Sequence, residues 1–420
     1  MPVELAESDR AFLHGAHGDA AALAMRIVVE MAGVVGAERL IDVTSAHVDG
    51  CLYHGLAGLE FADRLVAGGA RVSVPTTLNV GYLDLLHPER YRGDPETAAN
   101  ARRQMDRYVE MGCRPTWTCA PYQLPERPAF GQHVAWAESN AIVFCNSVLG
   151  ARTDRYGDFI DICAAVTGRV PLAGLHRDEG RRAAVALRLE GISDRLLASD
   201  ALYPVLGHLV GREAGNEVAA IVGLPADASE DRLKALGAAA ASSGSVAMFH
   251  AIGVTPEAPT REAATGGGTV PEIAVTTERL RAARDDLGTS AEGGPLGAVS
   301  VGTPHASIDQ LERLLELLGS ARARVPLYVN VGREQVAEAE GRGLVAGLGS
   351  AGVRIVSDTC TYISPVMDEV DGPVMTDSGK WAWYAPANLG VEVVIGGLEE
   401  CVRSAIEGHI VLDETLWSDG

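Results

Sequence analysis

The chain has 420 residues, 47% of them hydrophobic, and its 56 acidic against 35 basic side chains give a formal charge of −21 at pH 7. The length supports two or three lobes around substantial cores, and the composition excludes a disordered or fibrous chain. The charge argues against nucleic acid and anionic membrane surfaces as partners, since both are held by clustered Lys and Arg.

In chain order, the N-terminus MPVELAESDR is acidic, and the apolar run AAALAMRIVVEMAGVVG (20–36) is broken by Arg26 and Glu30. Neither reads as a targeting or membrane-spanning segment, so a soluble cytoplasmic protein is expected. RLIDVT, ARVSVPT, RPTWT and HVAWA read as short strands and NAIVFCNSVLGA as a buried helix. Two Gly-rich segments, 258–270 and 289–297, are expected to separate lobes. In the last third, apolar runs with strand character alternate with helical periodicity. LGAVSVG is a strand, SIDQLERLLELLG a helix capped by Ser307, PLYVNV a strand, REQVAEAEGRGLVAGLG a helix and VRIVSD a strand. That βαβαβ order predicts a parallel sheet with right-handed crossovers, and the fold class is α/β.

Ligands of open parallel sheets gather beyond the carboxyl ends of the strands. The segments expected there are 46–55, 76–82, 119–125, 138–147, 303–307 and 358–365. Cys119 and Cys360 each stand in such a place, followed closely by proline. Seven cysteines without a CxxC pair argue for thiols or metal ligands over a disulfide framework, with any cluster assembled by folding. Cys145 falls within a helix, where a core role is the simpler reading. Lys234 and Lys380 are the only lysines among the 35 basic residues. A lysine kept in TDSGKWAWYAP suggests a group that must lose a proton, which arginine cannot do. The SGK there is no P-loop, because Trp381 stands where Ser or Thr would bind magnesium. His47 follows an expected strand end, and Glu138, Ser139 and Asn140 precede the buried helix, where Ser139 or Asn140 could serve as the cap.

Taken together, SAHVDGCLYHG, SVPTTLNVGYLDL, TCAPYQLP, AESNAIVFCNSVLGARTDR, FHAIGVTPEA, GTPHAS, SDTCTYISP and TDSGKWAWYAP resemble the catalytic large domain of aconitase X, a divergent branch of the aconitase superfamily. The resemblance spans nearly the whole chain. It implies an aconitase-like multi-lobe fold with parallel sheets flanked by helices, here with lobes of about 1–180, 181–290 and 291–420. It also implies an iron–sulfur cluster or mononuclear iron acting as Lewis acid, and dehydration of a small hydroxy acid. Of the family's two activities, RTDRYGDFIDICAAVTGRVP looks closer to the branch that dehydrates cis-3-hydroxy-L-proline to Δ1-pyrroline-2-carboxylate. Phosphomevalonate dehydration is the alternative, and a non-catalytic iron-binding homologue the third reading. The family's small swivelling domain has no counterpart in these segments, so a separate small subunit is expected.

Carried onto this sequence, the resemblance gives iron ligation to Cys119 and Cys360, proton transfer or oxyanion contact to Lys380 or Ser378, and the second proton to Glu138. It gives substrate contacts to His47, Thr76, Thr77, Asn79, Tyr122, Ser139, Asn140, Asn146 and Ser147. One departure stands out: Thr303 occupies the position of an expected third ligand cysteine. Cys145 could replace it, or the centre could be a [2Fe-2S] or other non-cubane cluster or a single iron, or the activity could have changed. Whether Cys51 or His305 ligates iron is also left open.

Overall fold

The computed structural model describes residues 3–289 and 294–418. The chain folds as two compact units, one of Met1–Leu83 with Gly93–Arg182 and one of Asp84–Arg92 with Ala183–Gly420. Among the described residues the strands form four sheets.

In the first unit, Ala46–Val48 is the centre of a three-stranded parallel sheet, paired with Thr76–Leu78 on one side and Ala135–Trp136 on the other. Since its two partners lie on opposite sides, the order reverses at Ala46–Val48, which places a crevice beyond its carboxyl end. The expected strands are partly displaced. Leu40–Asp42, inside RLIDVT, pairs antiparallel with Arg169–Pro171 in a separate ribbon. The strand expected in ARVSVPT begins only at its last residue, Thr76. RPTWT is not a strand but touches the sheet through a single bridge, Arg114 to Thr77. His47 therefore lies within a strand rather than after one, and Thr76 and Thr77 do likewise. The helix Ser139–Ser147 forms as expected and is buried almost throughout.

The second unit holds two parallel sheets. The four-stranded sheet runs Phe249–Ala251, Ala219–Val222, Val185–Leu189, Glu272–Val275, in a stretch for which the sequence supplies no element expectations. The Gly-rich segment 258–270 lies inside its last crossover, where Thr260 caps the short helix Arg261–Thr265. In the other expected linker, residues 290–293 lie outside the described residues. Helices Leu202–Ala214 and Glu230–Gly244 pack so closely that a Cβ on Gly244 would come 1.9 Å from the Gly211 carbonyl oxygen, a contact only glycine permits.

The five-stranded sheet runs Val353–Val356, Leu327–Asn330, Ala298–Val301, Val374–Thr376, Val393–Ile395, every pair parallel. Ala298–Val301 and Leu327–Asn330 are buried at every position, as strands covered on both faces must be. The helix Ile308–Leu318 begins at Ser307, whose hydroxyl accepts from the Gln310 amide at 3.1 Å while Gln310 Oε1 accepts from the Ser307 amide at 3.2 Å. This reciprocal cap and the buried Leu311, Leu314 and Leu318 stripe explain why the element is legible from sequence. The single helix expected over 333–349 is two, Arg333–Gly341 and Leu344–Ser350, broken by Gly343 at φ +75°. Chain order reverses between Ala298–Val301 and Val374–Thr376, and the loops leaving those two strands carry Thr303–His305 and Asp377–Lys380.

Candidate functional site

In the second unit, the loops at the carboxyl ends of the five-stranded sheet are tied together by one amide. Asn330, the last residue of its strand, donates to the Val301 carbonyl at 3.0 Å and to the hydroxyls of Thr303 and Thr361, both at 3.2 Å. Its carbonyl accepts from the Thr361 amide at 2.9 Å. The Thr361 hydroxyl also meets Ser300 Oγ at 2.7 Å and the Trp381 indole N–H at 3.0 Å. A fully used polar network in a buried place fixes geometry, because any loosened partner would be left unsatisfied. Here it joins the Thr303, Cys360 and Lys380 loops. Upstream, Arg333 grips the buried Asp358 carboxylate with two bonds of 2.8 and 2.6 Å, holding the start of the Cys360 turn, where Asp358 has φ +62°.

Cys360 is 1% exposed and its Sγ lies 3.9 Å from Nε2 of the fully buried His305. Burial pushes the His305 imidazole down to about 4, opposed by its contact with the Thr359 carbonyl and reinforced by the charges of Lys234 and Lys380. The ring is therefore neutral at pH 7, and a neutral imidazole beside a thiol is a donor pair that iron accepts. Thr303, where a ligand thiolate is expected, has its hydroxyl engaged by Asn330. Lys380 is 5% exposed in the first turn of the helix Gly379–Leu389, whose cap is Ser378 accepting from the Trp381 amide at 3.0 Å. Ser378 thus has a structural duty at the position expected to act on substrate.

In the first unit, the crevice residues gather carboxyl groups. Asp49 follows the Ala46–Val48 strand and accepts from the Asn79 amide; its backbone N–H and that of Gly50 donate to Asp161 at 2.8 and 2.9 Å. Burial pushes Asp49 up to about 8, helped by the charges of Asp158, Glu138 and Asp161 and opposed by Asn79. Asp161 is raised to about 7, again first by burial and then by Asp158, against backbone N–H donors. His47 is fully buried, its Nδ1 2.8 Å from Thr77 Oγ1, and burial lowers it to about 3. Glu138, not Ser139 or Asn140, is the helix cap: its carboxylate accepts from the Ala141 amide at 2.8 Å, from Ser139 at 3.2 Å, and from Asn140. Asn140 in turn accepts from Tyr122 at 2.6 Å and donates to the Cys119 carbonyl at 2.9 Å.

Other expected residues are buried among main-chain and side-chain partners. Thr76 donates to the Val74 carbonyl at 2.8 Å. Asn146 exchanges two 3.0 Å bonds with the Thr153 backbone and accepts from Arg181. Ser147 is 2% exposed at the helix end. Cys145 packs in an apolar cluster among Ala120, Tyr122, Val134, Trp136 and Phe144, where burial pushes its thiol up. Cys51 gives its thiol to the Asn79 carbonyl at 3.4 Å and is likewise raised by burial. Sequence reasoning passed over Asn330, Asp161 and Lys234. A lone Asn inside the apolar run PLYVNV was a signal for the first and the scarcity of lysine for the third, whereas nothing local marked Asp161.

The sequence matches the aconitase X first domain over residues 2–179, the second domain over 183–285 and the third over 296–407. It is 44% identical over 416 residues to a cis-3-hydroxy-L-proline dehydratase of Pseudomonas aeruginosa, covering 97% of this chain and 71% of that protein. A cis-3-hydroxy-L-proline dehydratase of Hypocrea jecorina is 42% identical, with 97% and 70% covered. The phosphomevalonate dehydratase large subunit of Methanothermobacter thermautotrophicus is 37% identical, with 96% and 98% covered. Among solved structures, the holo-form of Thermococcus kodakaraensis aconitase X superposes with a TM-score of 0.86 at 34% identity, covering 96% of this chain and 100% of that one.

Proposed function

Because the chain belongs to the aconitase X family, we propose that it removes water from cis-3-hydroxy-L-proline. It is a hydro-lyase: the C2 proton and the C3 hydroxyl leave as water, and the resulting cyclic enamine tautomerises to Δ1-pyrroline-2-carboxylate. The choice of substrate is supported by 44% and 42% identity to two cis-3-hydroxy-L-proline dehydratases.

The observation that carries the chemistry is the buried Cys360–His305 pair at the reversal point of the five-stranded sheet, with Lys380 close enough for its charge to act on the same imidazole. These donors fit an iron centre. We propose that Cys360 and His305 hold it, that Cys119 keeps the ligand role the resemblance implies, and that Thr303 is why a histidine enters the set. Bound iron supplies a Lewis acid for a departing hydroxyl. Lys380, carried on a buried helix start, is our choice for moving the C2 proton, which requires it to lose and regain its own. Ser378 would steady the developing charge through its hydroxyl hydrogen, which the cap leaves available. Glu138 would handle the second proton, and His47, Thr77 and Asn79 would orient substrate. A separate small subunit is part of this proposal, supported by the likeness to proteins that are themselves large subunits.

The test is anaerobic preparation followed by parallel assays on cis-3-hydroxy-L-proline and phosphomevalonate. Turnover of the first alone is expected; turnover of the second alone would reverse the assignment, and iron-loaded protein acting on neither would remove it. Lys380→Ala should lower kcat by roughly 10²–10⁴-fold with iron content unchanged, the range general acid–base groups contribute. Normal kcat in that variant would remove Lys380 from the chemistry.

A further inference from the structure

Lys234, on the helix Glu230–Gly244, is far in sequence from every residue given a role above, yet its ammonium ends on the His305 loop. The side chain is 3% exposed, and Nζ makes three contacts: 2.7 Å to Asp231 Oδ1, 2.6 Å to Gln310 Oε1 and 3.2 Å to the main-chain carbonyl of His305. Three donors thus meet three acceptors, which suits a tetrahedral ammonium and not the planar fork of arginine. In a chain that otherwise uses arginine for positive charge, this is one of two positions that keep lysine.

The acceptors are tied to one another. Asp231 also accepts from the Ser307 hydroxyl at 2.6 Å, and Gln310 Oε1 also accepts from the Ser307 amide at 3.2 Å. Lysine, aspartate, serine and glutamine therefore close a ring around residues 305–310. The ring borders open space: a cavity of about 190 Å³ is lined by Lys234, Asp231, Thr303, Pro304, Gln310 and Asp377 among others. His305 itself is 0% exposed, and besides the Lys234 bond its loop is tied by the Ala306 amide donating to the Asn330 main-chain carbonyl at 2.9 Å.

We propose that Lys234 is a positioning residue, holding the His305 carbonyl so that the imidazole is directed toward Cys360. This rests on the reading of His305 as an iron ligand. Groups one bond removed from a ligand typically change metal affinity or activity by about 10–100-fold when lost.

Lys234→Met keeps the length and removes all three donors, and Lys234→Gln keeps a neutral amide with two N–H donors. With anaerobically loaded enzyme, Lys234→Met should shorten iron retention against a chelator by about tenfold or more and alter the visible absorption of the centre. In the same variant kcat should fall while KM for cis-3-hydroxy-L-proline stays within about twofold, and Lys234→Gln should lie between it and the parent. Ethylammonium added to Lys234→Ala should restore part of the absorption, since the adjoining cavity gives it entry. An unchanged spectrum and unchanged iron retention in Lys234→Met, whether or not Tm falls, overturns the proposal by leaving only a structural role. If Lys234→Met does not fold, Lys234→Gln and Asp231→Asn carry the same measurement, and an unaltered spectrum in both is equally decisive. His305→Ala is the control: if it keeps iron and spectrum, the ligand reading itself fails, whereas loss there with no change at Lys234 refutes the positioning role alone.

Discussion

Buried titrating side chains set opposing demands on this protein. His47 and His176 are held at about 3 and His305 at about 4, against an ordinary 6.5, chiefly by burial. Each is neutral in the folded state, so its contribution is present above pH 6.5 and is lost as pH falls through the folded values. Asp49 and Asp161 behave in the opposite sense, raised from 3.8 to about 8 and about 7. They are protonated when folded, so their contribution is present near pH 4 and is lost as pH rises through 7 and 8. Above pH 6.5 these histidines are neutral in both states and the carboxyls dominate. Tm should therefore fall between pH 6.5 and 8.5. Asp49→Asn stays neutral and can still accept from Asn79, so its Tm should fall less over that interval. An equal decline in parent and variant would show that Asp49 is ionised in the folded protein.

Helices carry both lysines to their places, and the two helices touch. Gly379, immediately before Lys380, is seated on the helix Glu230–Gly244: a Cβ there would meet Ala239 Cβ at 2.8 Å and the Pro204 carbonyl oxygen at 3.1 Å. Neither neighbour is a flexible side-chain end, so Gly379→Ala must shift the start of the helix Gly379–Leu389, and overpacking of this kind costs about 1–3 kcal/mol. The expected result is a lower Tm and a larger fall in kcat than rise in KM. Adding Ala239→Gly should recover part of both, because it removes the nearer obstacle. A parent-like Gly379→Ala would mean that the two helices can separate freely at this point. Asn330 works at the same scale, since one amide at a strand end joins the Thr303 and Thr361 loops, which are otherwise independent in sequence.

At the scale of the whole molecule, the proposal of a separate small subunit is tested by anaerobic co-expression with a candidate small-subunit gene. Dehydratase activity should copurify with a two-chain complex, and full activity in this chain alone would overturn that expectation. Among the described residues no helix is long and apolar enough to cross a membrane. The last third was legible because strands buried on both faces, such as Leu327–Asn330, are continuous apolar runs, and Ile308–Leu318 pairs a leucine stripe with its own cap. The first third was less so: Ala135–Trp136 is two residues long, too short for periodicity to register, and His47 lies inside a strand read as a loop. Cys360 and Lys380 stood out because turn residues and rare residue types are local facts. Asp161 and Asn330 did not, and Lys234 was marked by rarity but not by role, because each acts on a partner brought near only by folding, as Lys234 and His305 are across 71 positions. The sequence by itself determined the α/β alternation, which is written in short-range patterns of polarity, the family, which its motif segments resemble, and the thiol and lysine worth suspecting, which turn position and rarity mark. Tertiary structure alone decided that Thr303 is engaged by Asn330, that Cys145 lies in an apolar cluster and that His305 faces Cys360, because burial and hydrogen-bond partners are properties of the packed chain.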